Sequence, residues 1–144
     1  MVDQTIEAFI KENSLNNLPV VVCGDLNTPL ENCVVNQYLK NKHYMSTFNL
    51  VNPQQKHFVS HCNHLDQEVG VDFIFLKDSQ YLAPPIQDSQ SILGITAPHL
   101  YPIDSYFFPR DLKVDKWQSM DVPLSDHRPL TTTFTFLNKN NINN

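Results

Sequence analysis

At 144 residues, with 41% hydrophobic and 17% charged side chains, the chain can build one core and is too short for two domains of ordinary size. Its net charge of -5 repels polyanions unless basic residues gather on one face, which argues against a tight, sequence-independent grip on nucleic acid. Cys23, Cys33 and Cys62 form neither a C-x-x-C pair nor zinc spacing, Met1-Val2-Asp3-Gln4 lacks a signal-peptide pattern, and no apolar run reaches membrane-spanning length, so reduced thiols and a cytoplasmic or nuclear location are expected.

Ile6, Phe9 and Ile10 recur at helical spacing between Asp3 and Asn13-Ser14, which predicts an amphipathic helix over residues 3–13 laid on one face of a sheet. Leu18 to Cys23 is valine-rich and stops at Gly24, the pattern of a strand buried on both faces. A second helix is expected over Glu31 to Lys40, with Val34, Val35, Tyr38 and Leu39 on its apolar side. Helix, strand, loop and helix define an α/β layer arrangement. Beyond residue 45 the texture changes to short runs: Phe58-Val59-Ser60, Val71 to Leu76, Ile92 to Ile95 and Leu130 to Leu137. Val71 to Leu76 is the clearest strand, because only Asp72 interrupts its β-branched and aromatic residues. Residues 77–129 hold seven of the ten prolines and are expected to form long surface loops. Tyr101, Tyr106, Phe107, Phe108 and Trp117 lie there, suited to packing or to stacking on a base. The last strand ends in alternation, with Phe134 and Phe136 on one face. Asn138 to Asn144 is low in complexity and is predicted to be disordered.

Three stretches carry chemistry-bearing side chains. In Gly24-Asp25-Leu26-Asn27, an extended backbone turns Asp25 and Asn27 to one face and Leu26 to the core, which suits a carboxylate near a metal or water beside an amide. A strand end closed by an Asx-turn uses the same residues. In Ser125-Asp126-His127-Arg128-Pro129-Leu130, a near-neutral base stands beside an acid able to hold a hard cation, and Pro129 keeps the preceding residue extended. An ordinary polar loop is the competing account. Asp72 is a lone charge in the best strand and needs a donor or a cation if buried. His127 is its attractive partner, since a carboxylate that orients an imidazole is the arrangement of hydrolytic triads; a solvated strand edge is the alternative. His61 and His64, three apart, could share a helical face as metal ligands, but their strand-like setting favours loop or substrate contacts. Cys23, beside Gly24 in an apolar strand, reads as a buried, inert thiol.

In that order, Gly24-Asp25-Leu26-Asn27, Val71-Asp72-Phe73-Ile74-Phe75 and Ser125-Asp126-His127-Arg128-Pro129-Leu130 resemble the three carboxy-terminal signature motifs of the endonuclease/exonuclease/phosphatase superfamily, which has the deoxyribonuclease-I-like fold. Val59-Ser60-His61-Cys62-Asn63-His64 resembles, less specifically, a segment of some members. The resemblance covers residues 1–137 and omits the tail at 138–144. It implies half of a four-layer α/β sandwich, with a mixed, mostly antiparallel sheet and helices on one face. By the same resemblance, Asp25 positions or deprotonates an attacking water close to a metal, and Asn27 holds the nucleophile or a phosphate oxygen. Asp126 and Asp25 bind Mg2+ or Mn2+. His127 contacts the scissile phosphate or transfers a proton, Asp72 fixes its tautomer, and His64 is a substrate contact. The implied reaction is metal-assisted hydrolysis of a phosphodiester or phosphomonoester in nucleic acid, phospholipid or inositol phosphate. Arg128 in the third motif also occurs in inositol phosphatases.

Members of the superfamily fold as two similar halves, of which the first supplies an asparagine and a magnesium-binding glutamate. This chain resembles only the second half, and Glu7, Glu12, Glu31 and Glu68 do not stand in a recognisable version of the glutamate motif. A lone half exposes an apolar sheet face, which calls for the missing half or another chain to cover it. A fragment of a longer enzyme is the favoured account, because the domain begins abruptly at its first helix. The alternative function is a catalytically inactive binding or interaction module of the same fold, which would tolerate loss of His127 far better than a hydrolase.

Overall fold

A computed structural model describes residues 2–16, 18–29, 33–55, 57–65, 67–78, 99–110 and 125–137. The chain runs α1 (Val2–Glu12), β1 (Val20–Asp25), α2 (Val34–Asn41), β2 (Met45–Ser46), α3 (Thr47–Val51), β3 (His61–Cys62), β4 (Glu68–Val69), β5 (Asp72–Lys77), β6 (His99–Phe107) and β7 (Leu130–Leu137). Helices and strands are interspersed, giving an α/β chain whose described strands form three sheets, ordered β1-β5-β2, β3-β4 and β6-β7. Every pairing among the described strands is antiparallel, where a mixed sheet was expected. No described helix is long and apolar enough to cross a membrane.

The core is organised around β5, the middle strand of its sheet. Phe73 and Phe75, two residues apart, share a face, are buried and stack with ring centroids 5.3 Å apart. Tyr44 joins them, with Val20, Val22, Leu26, Leu39 and Phe58 packed around. Aromatic contacts continue from Phe73 to Phe58 at 5.5 Å, and from Phe58 to Phe48 at 5.0 Å and Phe107 at 4.9 Å. Each fully buried Phe contributes about 1.5–3 kcal/mol, so these rings bind the β5 sheet to α3 and β6. A hydroxyl chain reinforces the junction: Thr47 donates to the Ile74 carbonyl at 3.1 Å, which leaves Thr132 to donate to Thr47 at 2.8 Å and Ser105 to Thr132 at 2.9 Å. Phe58 also sets the approach to β5. A Cβ on Gly70 would lie 2.6 Å from the Phe58 carbonyl oxygen, so only glycine lets these backbones come this close.

Several expectations are corrected. Among the described strands β1 pairs only with β5, so it is an edge strand and not one buried on both faces; Val21 is 42% exposed and the Cys23 thiol is exposed. Its valines satisfy β-propensity and one packed face. α2 begins at Val34 and not Glu31, with Cys33 as its cap: the Cys33 Sγ accepts the Val35 N–H at 3.2 Å. Residues 30–32 lie outside those described. The Val34, Val35 and Tyr38 side of α2 is exposed, because polar groups attach this helix to α1: Tyr38 donates to Asp3 at 2.9 Å, and Lys42 donates to Glu7 at 3.4 Å. Burial, with Asp3 alongside, pushes the Tyr44 hydroxyl up to about 12.

Of Phe58-Val59-Ser60 only Ser60 joins the ladder, its N–H donating to the Val69 carbonyl at 2.9 Å, and β3 itself begins at His61. The proline-rich stretch expected as loop contains the nine-residue strand β6, which carries Tyr101, Tyr106 and Phe107. Pro102 is tolerated because it borders a register shift, where the ladder is interrupted before Asp104. The short run at Ile92 to Ile95, Trp117 and the tail at 138–144 lie outside the described residues.

Candidate functional site

Antiparallel pairing of β1 with β5 sets Asp25, the last residue of one strand, opposite Asp72, the first of the other. The chain then turns sharply. The Asn27 N–H donates to Asp25 Oδ1 at 2.7 Å, and Asn27 adopts φ 50°, a left-handed conformation that asparagine tolerates. This is the Asx-turn, so the extended alternation that would align Asn27 with Asp25 does not apply. Leu26 packs against the core, its N–H bonded to the Val71 carbonyl at 2.9 Å.

His127 is carried to these carboxylates by backbone pairing with residues 60–62. The Arg128 N–H donates to the Ser60 carbonyl at 2.7 Å and the Cys62 N–H to the Asp126 carbonyl at 3.1 Å, with His61 and His127 forming an antiparallel bridge. Ser60, fully buried, uses its Oγ to accept the N–H groups of Val71 at 2.9 Å and Asp72 at 3.0 Å. One short segment therefore positions both the histidine and the start of β5.

The His127 Nδ1 lies 2.8 Å from Asp72 Oδ2, so this nitrogen carries a proton and donates it. The other ring nitrogen, Nε2, faces Asp25 Oδ2 at 4.0 Å. The His61 ring stacks on the His127 ring with centroids 4.1 Å apart and planes at 27°. Side-chain exposures of 32% for His127, 31% for Asp25 and 21% for Asp72 make the site a half-buried mouth. Burial lowers the His127 pKa, but the hydrogen bond and charge of Asp72, with the charges of Asp126 and Asp25, more than offset it and hold the imidazole above its ordinary range.

Two groups of ligand atoms form here: Asp25, Asp72 and His127, and His61, Asp126 and His127, the atoms within each lying within 4.8 Å of one another. Such donors suit a divalent metal ion. Carboxylate oxygens in the first group match a hard cation. In the second, nearly parallel rings aim their in-plane lone pairs side by side, so one ring would have to turn for both to meet a single ion. Asp25 and Asp126, expected to share an ion, fall in different groups joined by His127. The Asp126 side chain is 69% exposed, with Oδ2 3.7 Å from His61 Nδ1.

His64 is exposed in the turn after β3 and joins neither group. Arg128 points away from the mouth: its guanidinium is buried and donates to the carbonyls of Val59, Phe107 and Pro109. It also lines a cavity of about 400 Å³ with Phe48, Asn52, Tyr106 and Arg110. Sequence reasoning missed Ser60 and favoured His64 over His61. The register decides both: on a ladder that pairs residue 61 with 127, Ser60 and Arg128 face the opposite way from the two histidines.

Over 88 residues the chain is 32% identical to an uncharacterized calcium-binding protein of Arabidopsis thaliana, a match that takes in 58% of this chain and 18% of that protein. The chain thus spans well under two thirds of that relative's length. No family model and no solved structure matches the chain.

Proposed function

We propose that this chain is the carboxy-terminal half of a magnesium-dependent phosphoesterase of the endonuclease/exonuclease/phosphatase superfamily, active on a phosphodiester or phosphomonoester when completed by an amino-terminal half. One observation carries the proposal: His127, 55 residues from Asp72 in sequence, lies 2.8 Å from it through one ring nitrogen and 4.0 Å from Asp25 through the other. Three separate motifs thereby supply an acid, a base and an orienting carboxylate within one mouth. The β5 sheet and the β6-β7 pair, with their helices, would form half of a four-layer sandwich.

Asp25 in one ligand group, or Asp126 in the other, offers the carboxylate oxygen that would hold magnesium or manganese, which when bound would neutralise charge on the phosphate. The protein's own groups divide the remaining work. Asp25 Oδ1 is engaged by the Asn27 N–H, leaving Oδ2 to accept a proton from water. Protonated His127 donates its Nε2–H to a phosphate oxygen, while Asp72 keeps Nδ1–H in place. Asn27, turned out of the expected alignment by its left-handed backbone, serves through its N–H to hold Asp25 in place. The upward shift of His127 favours this donor role near neutral pH. Nucleic acid, phospholipid and inositol phosphate all present the required ester.

A second reading, a cation-binding module without hydrolysis, is favoured by the similarity to the calcium-binding protein of Arabidopsis. Calorimetric titration with Mg2+ and Ca2+, on the chain alone and joined to an amino-terminal half from a complete superfamily enzyme, tests both. Magnesium binding by the assembled pair, lost in Asp126→Ala, together with hydrolysis of bis(p-nitrophenyl) phosphate, is the expected result. An assembled pair that binds calcium and hydrolyses nothing would establish the second reading; one that binds neither ion would overturn both.

A further inference from the structure

We infer that His61 is a positioning residue that holds the plane of the His127 ring and so aims its Nε2 into the mouth; its place in catalysis rests on the phosphoesterase proposal above. A single hydrogen bond from Nδ1 to Asp72 anchors one corner of an imidazole and leaves the ring free to pivot about that contact. The pivot is blocked on one side by His61, whose ring lies 4.1 Å away at 27°. His61 is itself restrained, because its Nδ1 is 3.1 Å from the Asp126 carbonyl oxygen and its backbone forms the bridge to His127. Its side chain is only 17% exposed, against 32% for His127, so it backs the ring and leaves the mouth to its partner.

The same short segment fixes the other half of the dyad. Ser60 Oγ accepts the Asp72 N–H, and the Ser60 carbonyl accepts the Arg128 N–H, so residues 60 and 61 together set the carboxylate, the backbone beside the imidazole and the ring plane. Displacing a reacting group by about 1 Å can cost ~100-fold in rate. Loss of a side chain that orients another lowers activity by roughly 10–100-fold. A large aromatic face at residue 61 is therefore what the site needs, more than a titratable group.

Long-range proton–nitrogen NMR of the imidazoles tests this on the chain itself, without substrate. Above its raised pKa, where the ring is neutral, the wild-type His127 is expected to show one tautomer, protonated at Nδ1. In His61→Ala the two nitrogen shifts should move toward each other as the ring pivots and the tautomers mix. In His61→Phe, which keeps the stack and discards the nitrogens, the wild-type pattern should return. An unchanged His127 spectrum in His61→Ala would overturn the inference, as would a His61→Phe spectrum that matches alanine, since the carbonyl contact and not the stack would then be responsible. In the completed enzyme the positioning role predicts a kcat roughly tenfold lower for alanine at nearly unchanged KM, recovered by phenylalanine. If no hydrolysis is found with wild type, the phosphoesterase proposal fails while the NMR result still decides whether His61 orients the ring.

Discussion

β5 has an aspartate and histidine pair near each end, alike in their contact and in the part-exposure of the histidine, and unlike in the carboxylate and its neighbours. At the start of the strand, Asp72 meets His127 Nδ1 at 2.8 Å; just past its end, Asp78 meets His99 Nδ1 at 2.9 Å. Asp78 is buried, and its second oxygen accepts the Leu100 N–H at 2.8 Å, so the carboxylate is spent on tying β5 to β6. Asp72 sits in a half-open mouth beside Asp25, His61 and Asp126. An aspartate and histidine contact is thus not a site in itself. What marks the first pair is the convergence of further titratable groups and a ring nitrogen that faces a second carboxylate, whereas in the second pair the carboxylate has the burial and hydrogen bonding of a structural cross-link.

The sharpest way to break this comparison is to remove each histidine. In a preparation completed to hydrolyse phosphate esters, His127→Ala should lower kcat by about 10²–10⁴-fold, while His99→Ala should leave the rate per folded molecule near wild type. Steady-state kinetics on both variants decides it, and equal losses would erase the distinction. The carboxylates should show the reverse order in stability. Asp78→Ala removes the buried acceptor shared by the Leu100 N–H and His99 and should cost about 1–3 kcal/mol in urea unfolding. Asp72→Ala, half-exposed and relieved of a neighbouring carboxylate in Asp25, should cost under about 1 kcal/mol.

The smallest effect is on pH dependence. His127 has its pKa raised in the fold, so the stability it contributes is fully present below about pH 6.5, the unfolded value, and is lost as pH rises through the folded value. Urea midpoints measured in chelator-containing buffer should therefore decline across that window in wild type and flatten in Asp72→Asn. A slope unchanged by the substitution would show that Asp72 does not support the imidazolium.

Much of this site was legible before any fold was known, for a definite reason. A carboxylate inside a β-branched and aromatic run is too costly to bury alone, so Asp72 announced a partner, and His127 was the residue chemically suited to it. The outcome for Asn27 was half legible: asparagine after an aspartate fits a ligand pair and an Asx-turn equally, and only the backbone at φ 50° distinguishes them. His61 and His64 could not be ranked, because their difference is a matter of ladder register, and a register is a relation between two distant segments. The exposure of Cys23 was hidden for a similar reason, since a valine-rich run has the same local preference on an edge as in the middle of a sheet.

By itself the sequence determined the strand at residue 72, the last strand, the first helix and the residue types able to handle a phosphate and a divalent ion, because propensity, periodicity and side-chain chemistry are local properties. The tertiary structure alone decided that β6 runs through a proline-rich stretch, that Arg128 turns inward, that Asp25 and Asp126 divide between two ligand groups, and that an imidazole backs His127. Each of these depends on which segments pair and in what register, and that is set by the sum of many weak contacts across the chain, which no short stretch contains.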